Sequence, residues 1–176
     1  MTRVKDKSSL PLFLGKLKWI VVAVMQLTLI SYAMGGDMVK HSFSFDTIDD
    51  SPDAEVLDYQ YGSSGQFGTH ANKEKVQLGK VFVAWNTFGV MLRGEFLYVK
   101  WRLKSSREVY EDKVDLTTRL PADITDHRIH FVIKGTQLYV YLISPETDRR
   151  PASSPAGPVR TYRHLKQYQI YPDQAK

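Results

Sequence analysis

The side chains of this chain that could do chemistry are carboxylates and histidines. There is no cysteine, which removes thiol nucleophiles, disulfides, iron–sulfur clusters and thiolate-bound zinc together. The densest acidic group is Asp46, Asp49, Asp50, Asp53, Glu55 and Asp58, six carboxylates within residues 46–58 and no Lys or Arg among them. Acids placed like this can hold a cation, pair with cations elsewhere in the chain, or steer a basic partner. Their spacing does not follow a calcium-binding loop. A counterpart exists in residues 149–166, where Arg149, Arg150, Arg160, Arg163 and Lys166 stand without an acid. Either the two stretches neutralise each other inside the fold, or each faces a partner of opposite charge. The six acids are therefore the candidate partner-binding residues.

A second acidic group, Glu108, Glu111, Asp112 and Asp115, could in principle supply the paired carboxylates of a glycosidase. Lys104, Arg107 and Lys113 are interspersed with it, and cross-strand ion pairing on a wet hairpin face is the simpler expectation. The histidines are His41, His70, His127, His130 and His164. His127 and His130 are three apart in a strand-like context, which puts them on opposite faces and not around one metal ion. The expectation is that the histidines are partly exposed polar side chains. Gly62-Ser-Ser-Gly65 lacks the spacing of a nucleophile elbow, and neither a phosphate-binding loop nor a dinucleotide fingerprint occurs. No catalytic, metal or cofactor-binding residue is expected, and no cofactor.

The elements that must position these groups read as strands. His41-Ser-Phe-Ser-Phe-Asp46 alternates with period two, and residues 54–61 form a second candidate. Residues 62–72 are a Gly/Ser loop. Val81-Phe-Val-Ala-Trp85 is apolar on both faces, as a central strand would be. In residues 95–103, Leu97, Val99, Trp101 and Leu103 share one face, predicting a buried Trp101; residues 108–116 return as its hairpin partner. Residues 128–133 and 137–143 form another hairpin around Lys134-Gly135-Thr136, with Leu138, Val140 and Leu142 inward. Residues 144–158 carry four prolines and read as a loop; residues 159–171 return as a last strand. No amphipathic helix of ten residues follows residue 41. The fold class expected is mainly β: an antiparallel sandwich or barrel-like meander of about seven or eight short strands, preceded by one N-terminal transmembrane helix.

That helix is read from residues 19–36. The run from Trp19 to Met34 has no charge, and with Gly35 and Gly36 it reaches 18 residues. As helix it would span about 27 Å, just enough for a hydrocarbon core of about 30 Å. Arg3, Lys5, Lys7, Lys16 and Lys18 precede it against Asp6 alone, a net +4, while the remaining 140 residues hold 19 Lys+Arg and 18 Asp+Glu. The pI near 9.3 thus belongs to the leader and does not argue for nucleic acid. By the positive-inside rule the N-terminus stays in the cytoplasm. The organisation expected is a basic leader over 1–18, an anchor or cleavable signal over 19–36, and an exported β-rich domain over 37–176 containing the Pro-rich loop 144–158. Small residues around Ala33 and Gly35 leave cleavage open as an alternative to retention.

Gly94-Glu-Phe-Leu-Tyr-Val-Lys-Trp-Arg102, Val109-Tyr-Glu-Asp112, Arg119-Leu-Pro121, Gln137-Leu-Tyr-Val-Tyr-Leu-Ile143 and Gln169-Ile-Tyr-Pro-Asp173 together resemble a family of small proteobacterial envelope proteins with no established activity. The resemblance covers roughly residues 41–176. It implies a bacterial envelope setting and nothing about chemistry. The function expected is therefore a non-catalytic, membrane-tethered periplasmic domain that binds a protein, of immunity type or as an envelope-assembly accessory. The alternatives are an envelope enzyme acting on glycan or peptide through the acidic hairpin, and a purely structural envelope protein. The oligomeric state stays open.

Overall fold

The computed structural model describes residues 37–149 and 157–173. The leader and the proposed span, residues 1–36, lie outside the described residues, as does the middle of the Pro-rich loop. The described chain is mainly β. It runs β1 (Met38–Asp46), β2 (Ala54–Tyr61), a one-turn helix α1 (Lys73–Gln77), β3 (Ala84–Leu92), β4 (Phe96–Leu103), β5 (Val109–Asp115), β6 (Arg128–Lys134), β7 (Gln137–Thr147) and β8 (Leu165–Tyr171). No helix among the described residues is long and apolar enough to cross a membrane.

The strands form two sheets, of order β3-β1-β6-β7-β8 and β2-β4-β5. In the larger sheet β3 and β8 are the two ends, so the described strands do not close into a barrel. All ladders are antiparallel except β1–β6, which is parallel, because β6 reaches β1 by a long crossover and not by a turn. The inner faces meet in one core, in which Phe43 and Phe45 of β1, Tyr59 and Tyr61 of β2, Leu97, Val99 and Trp101 of β4, Phe131 of β6 and Leu138 and Val140 of β7 are buried. Alternation along each strand dictates this set, since every second side chain must face the opposing sheet.

Trp101 is buried as its face predicts, and its Nε1–H donates to the Gly135 carbonyl, 3.2 Å away in the β6–β7 turn. Gly135 itself sits at φ +57°, which a tight hairpin turn needs and a side chain would resist. Gly94 is required for a different reason. A Cβ there would fall 2.4 Å from the ring of Tyr61, so only a bare backbone lets that ring close the core.

Two expectations need correction. Val81–Trp85 is not a central strand. The strand is β3, three residues further on, and it lies at the sheet's edge. The stretch before it crosses from one sheet to the other: Phe82 bridges to Val56 of β2 and packs edge-on against Tyr59, while Val81 and Val83 remain 41% and 47% exposed. Apolar residues on both faces therefore marked a crossing, with one side in the core and the other in water. Secondly, His41 and His130 are buried, not partly exposed: His41 shares the inner face of β1 with Phe43, its Nε2 2.9 Å from the Tyr61 hydroxyl, while His130 lies on the outer face of β6. The outer face of the large sheet is covered in its middle by residues 159–162, so Val132, Tyr141, Ile143 and Val159 build a second small apolar cluster there. Period-two alternation cannot anticipate such a cover.

Candidate functional site

The buried face under that cover holds the most chemically suggestive row of the molecule. His130 of β6 and Ser44 of β1 are opposite each other in the parallel ladder, both on the outer face. Asp50 is folded inward by the turn after β1, where Asp46 Oδ1 accepts the Ile48 and Asp49 amides at 2.8 and 3.2 Å. Asp50 Oδ2 is 3.1 Å from His130 Nε2, and His130 Nδ1 is 2.8 Å from Ser44 Oγ. The carboxylate can only accept, so Nε2 carries the proton, and the neutral ring accepts from Ser44 at Nδ1. Asp50 also accepts from the Arg160 amide at 2.6 Å and the Thr161 hydroxyl at 2.8 Å.

Electrostatics agree with that assignment. Burial holds the His130 imidazole below its usual range, against the raising pull of Asp50. Burial would raise the Asp50 carboxyl, but donors from His130, Thr161 and Arg160 together hold it low. The pair is a neutral histidine on a charged carboxylate.

Ser–His–Asp connectivity is that of a nucleophilic triad, and the site has to be judged by access. Ser44 lies mid-strand, laddered to Asn86 on one side and His130 on the other, so its neighbouring backbone is engaged in the sheet. Tyr162 stands edge-on to the His130 ring, with centroids 5.4 Å apart. A depression of about 270 Å³ between β3 and Tyr162 touches Ser44 and His130, yet both side chains are sealed from solvent. A substrate carbonyl has to come within about 3 Å of the nucleophile with donors at its oxygen. The arrangement is suited to tying the 46–53 turn, β1, β6 and the 159–162 cover together.

The six acids are thus dispersed. Asp50 is buried, and the acidic and basic stretches meet there through the Arg160 amide and the Thr161 hydroxyl. Glu55 Oε2 is 2.7 Å from Arg102 Nη2 and 3.2 Å from Arg107 Nη1; the Arg102 hydrogen bond holds its carboxyl low. Asp58 is half-buried, and burial raises its carboxyl. Asp46 holds the turn. Asp49 and Asp53 remain exposed. The hairpin acids are dispersed as well: Glu111 receives Tyr98 and lies 3.9 Å from Lys100, Glu108 receives Tyr110, Asp112 receives Tyr171, and Asp115 receives Thr117. Among the described residues no group of His, Asp and Glu is placed to hold a metal ion.

The candidate interaction surface lies where the crossing leaves the core. Val81 and Val83 form an exposed ridge with a groove on each side. One groove, about 410 Å³, is lined by Tyr59, Phe67, Phe82 and Trp85; the other, about 400 Å³, by Ile48, Pro52, Ala54 and Lys104. Ile48 and Phe67 are exposed. Trp85 Nε1, alone among buried side-chain polar atoms of the described residues, has no hydrogen-bond partner. Asp49 and Asp53 are the chain neighbours of Ile48 and Pro52, which brings two of the six acids to the ridge. The signal for this surface was present as Val-Phe-Val, but apolar character alone does not separate core from exposed ridge.

Comparison with known protein families, with curated proteins and with solved structures finds no match for this chain.

Proposed function

We propose that this chain is a membrane-tethered β-sandwich domain of the bacterial envelope that binds another protein without catalysing a reaction. The observation that carries this is the ridge of Val81 and Val83 with Ile48 and Phe67 beside it. Contiguous apolar side chains held in water by a rigid sheet are what a docking surface offers. Asp49 and Asp53 at its border favour a partner segment with apolar side chains and an adjacent Lys or Arg. An immunity-type protein and an envelope-assembly accessory both use such a surface. The uncharged 19–36 run and its cationic flank support an anchor with the domain in the periplasm, and the resemblance to proteobacterial envelope proteins supports the same setting.

The test is site-specific photo-crosslinking in the native envelope. A photoreactive residue at Val83 should trap one discrete partner band, and one at Val109, exposed to the same degree but on β5 at the far edge of the smaller sheet, should not. Asp49→Asn with Asp53→Asn should weaken the trapped band at low salt and less so at raised salt, where screening already removes their attraction. Equal bands, or none, at both positions would refute the ridge as the docking surface. A second reading, an envelope hydrolase, has the Ser44–His130–Asp50 row in its favour. It requires that a fluorophosphonate label Ser44 in the native protein.

A further inference from the structure

We infer that the outer face of the β1–β3 edge is a second membrane contact, resting flat on the bilayer. The register pairs Met38 with Leu92, Lys40 with Val90 and Ser42 with Phe88, so Met38, Lys40, Phe88, Val90 and Leu92 share one face. It is the outer face, on the far side of the sheet from Phe43 and Phe45. Met38 is 55% exposed, and Phe88 and Val90 are each 63% exposed. The cover of residues 159–162 lies over the Ser44–His130 row and leaves this end open. β3 spans nine residues without a single charge or proline, unlike most sheet edges that face water.

The place where the chain enters selects lipid as the occupant. With the span ending at Gly36, as proposed above, Met38 lies within about 7 Å of chain from the membrane surface. A tether that short keeps the bilayer at high effective concentration against whatever lies beside Met38. From the Met38 row to the Phe88 row is about 13 Å along the strands. One interfacial layer is only about 5–8 Å deep, so the strip fits it lying along the surface and not standing in it. The polar groups around the strip suit that layer. Lys40 is 5.5 Å from the Phe88 ring centre and pairs with Asp126 at 2.7 Å, so its stem lies on the apolar strip while its charge is already matched. Arg128, next to Phe88 across β1, donates to Asn86. The contact expected is therefore apolar insertion among headgroups, with modest dependence on anionic lipid.

The absence of cysteine makes the test direct. Full-length chains carrying Phe88→Cys, Val90→Cys or, as control, Leu78→Cys are labelled with an environment-sensitive fluorophore. They are reconstituted in vesicles of phosphatidylethanolamine and phosphatidylglycerol, with and without brominated acyl chains. The expected result is blue-shifted emission and bromolipid quenching at positions 88 and 90, and neither at 78. Emission at 88 and 90 matching position 78 would overturn the inference. A blue shift without bromolipid quenching, together with disulfide formation between unlabelled Phe88→Cys chains, would also overturn it and assign the edge to a second copy. Alkaline carbonate extraction reads the tether separately. A chain that is extracted overturns the anchor and this contact together, whereas a retained chain with unquenched probes overturns the contact alone.

Discussion

Around Asp50 the described polar side chains find partners, and Ser44, Asp50 and His130 are buried. Ser44, His130, the exposed Thr161 and the Arg160 amide are joined to it in one network. Along the Val81–Val83 ridge the reverse holds: apolar side chains stand in water and the Trp85 indole N–H lacks a partner. The residues with the most chemical potential are buried against one another, and the exposed ridge carries almost none. Buried polar groups cost free energy unless fully bonded, so a satisfied and closed network is read first as structure. Exposed apolar groups likewise cost free energy, which a partner can recover.

The largest expected effect breaks the sealed side of that contrast. His130→Ala leaves the buried Asp50 carboxylate without its ring donor and should destabilise by about 3–5 kcal/mol in denaturant unfolding. Trp101→Ala, which empties a large site in the core between the sheets and removes one hydrogen bond to Gly135, belongs in the same range of about 3–5 kcal/mol. If His130→Ala instead unfolds like the wild type while abolishing fluorophosphonate labelling, the row is catalytic and the contrast collapses. Next in size, Asp50→Asn keeps the shape but exchanges one acceptor oxygen for a donor amide, and should cost about 1–3 kcal/mol.

The pH dependence sharpens the same point. His130 and His41 are held low chiefly by burial. Below about pH 6.5 the unfolded chain binds protons at these rings and the folded chain does not, so stability should fall as pH drops from 7 towards 5. Asp50 is also held low, so its contribution is intact above about pH 4 and is lost only below that. Melting temperatures that stay level between pH 7 and 5 would contradict neutral, buried histidines. The smallest stability effect belongs to the ridge. Val81→Ser with Val83→Ser should shift stability by less than about 1 kcal/mol, because both sites are near the surface. The same pair should nevertheless abolish partner trapping at the ridge. A large stability loss would make the ridge part of the core and erase its difference from the Asp50 network.

Local pattern carried much of this fold. The strand from Phe96 to Leu103, its hairpin return and the Gly135 turn are legible, because each depends on neighbours within a few residues, whereas β7 runs on through Pro145 to Thr147 and the final strand, expected from residue 159, begins only at Leu165. The candidate acids were legible only as a cluster along the chain. In space Asp50 turns inward, Glu55 meets Arg102 and Arg107, and only Asp49 and Asp53 stay at the surface. Charge density along a chain says nothing about which carboxylate a tight turn will rotate into the core.

By itself the sequence determined the β class, the periodic inner faces that bury Trp101, the exclusion of cysteine chemistry and the concentration of net positive charge before residue 19. Each follows from composition or from the two-residue period of a strand, which holds whatever the strand pairs with. Only the tertiary structure decided that β1 pairs in parallel with β6, that Ser44, His130 and Asp50 converge from positions up to 86 residues apart, and that Val81 and Val83 face water. Those outcomes depend on strand order and on a cover laid over one sheet face. Both are set by the packing of the whole domain, where a residue's environment is made by segments distant in the chain.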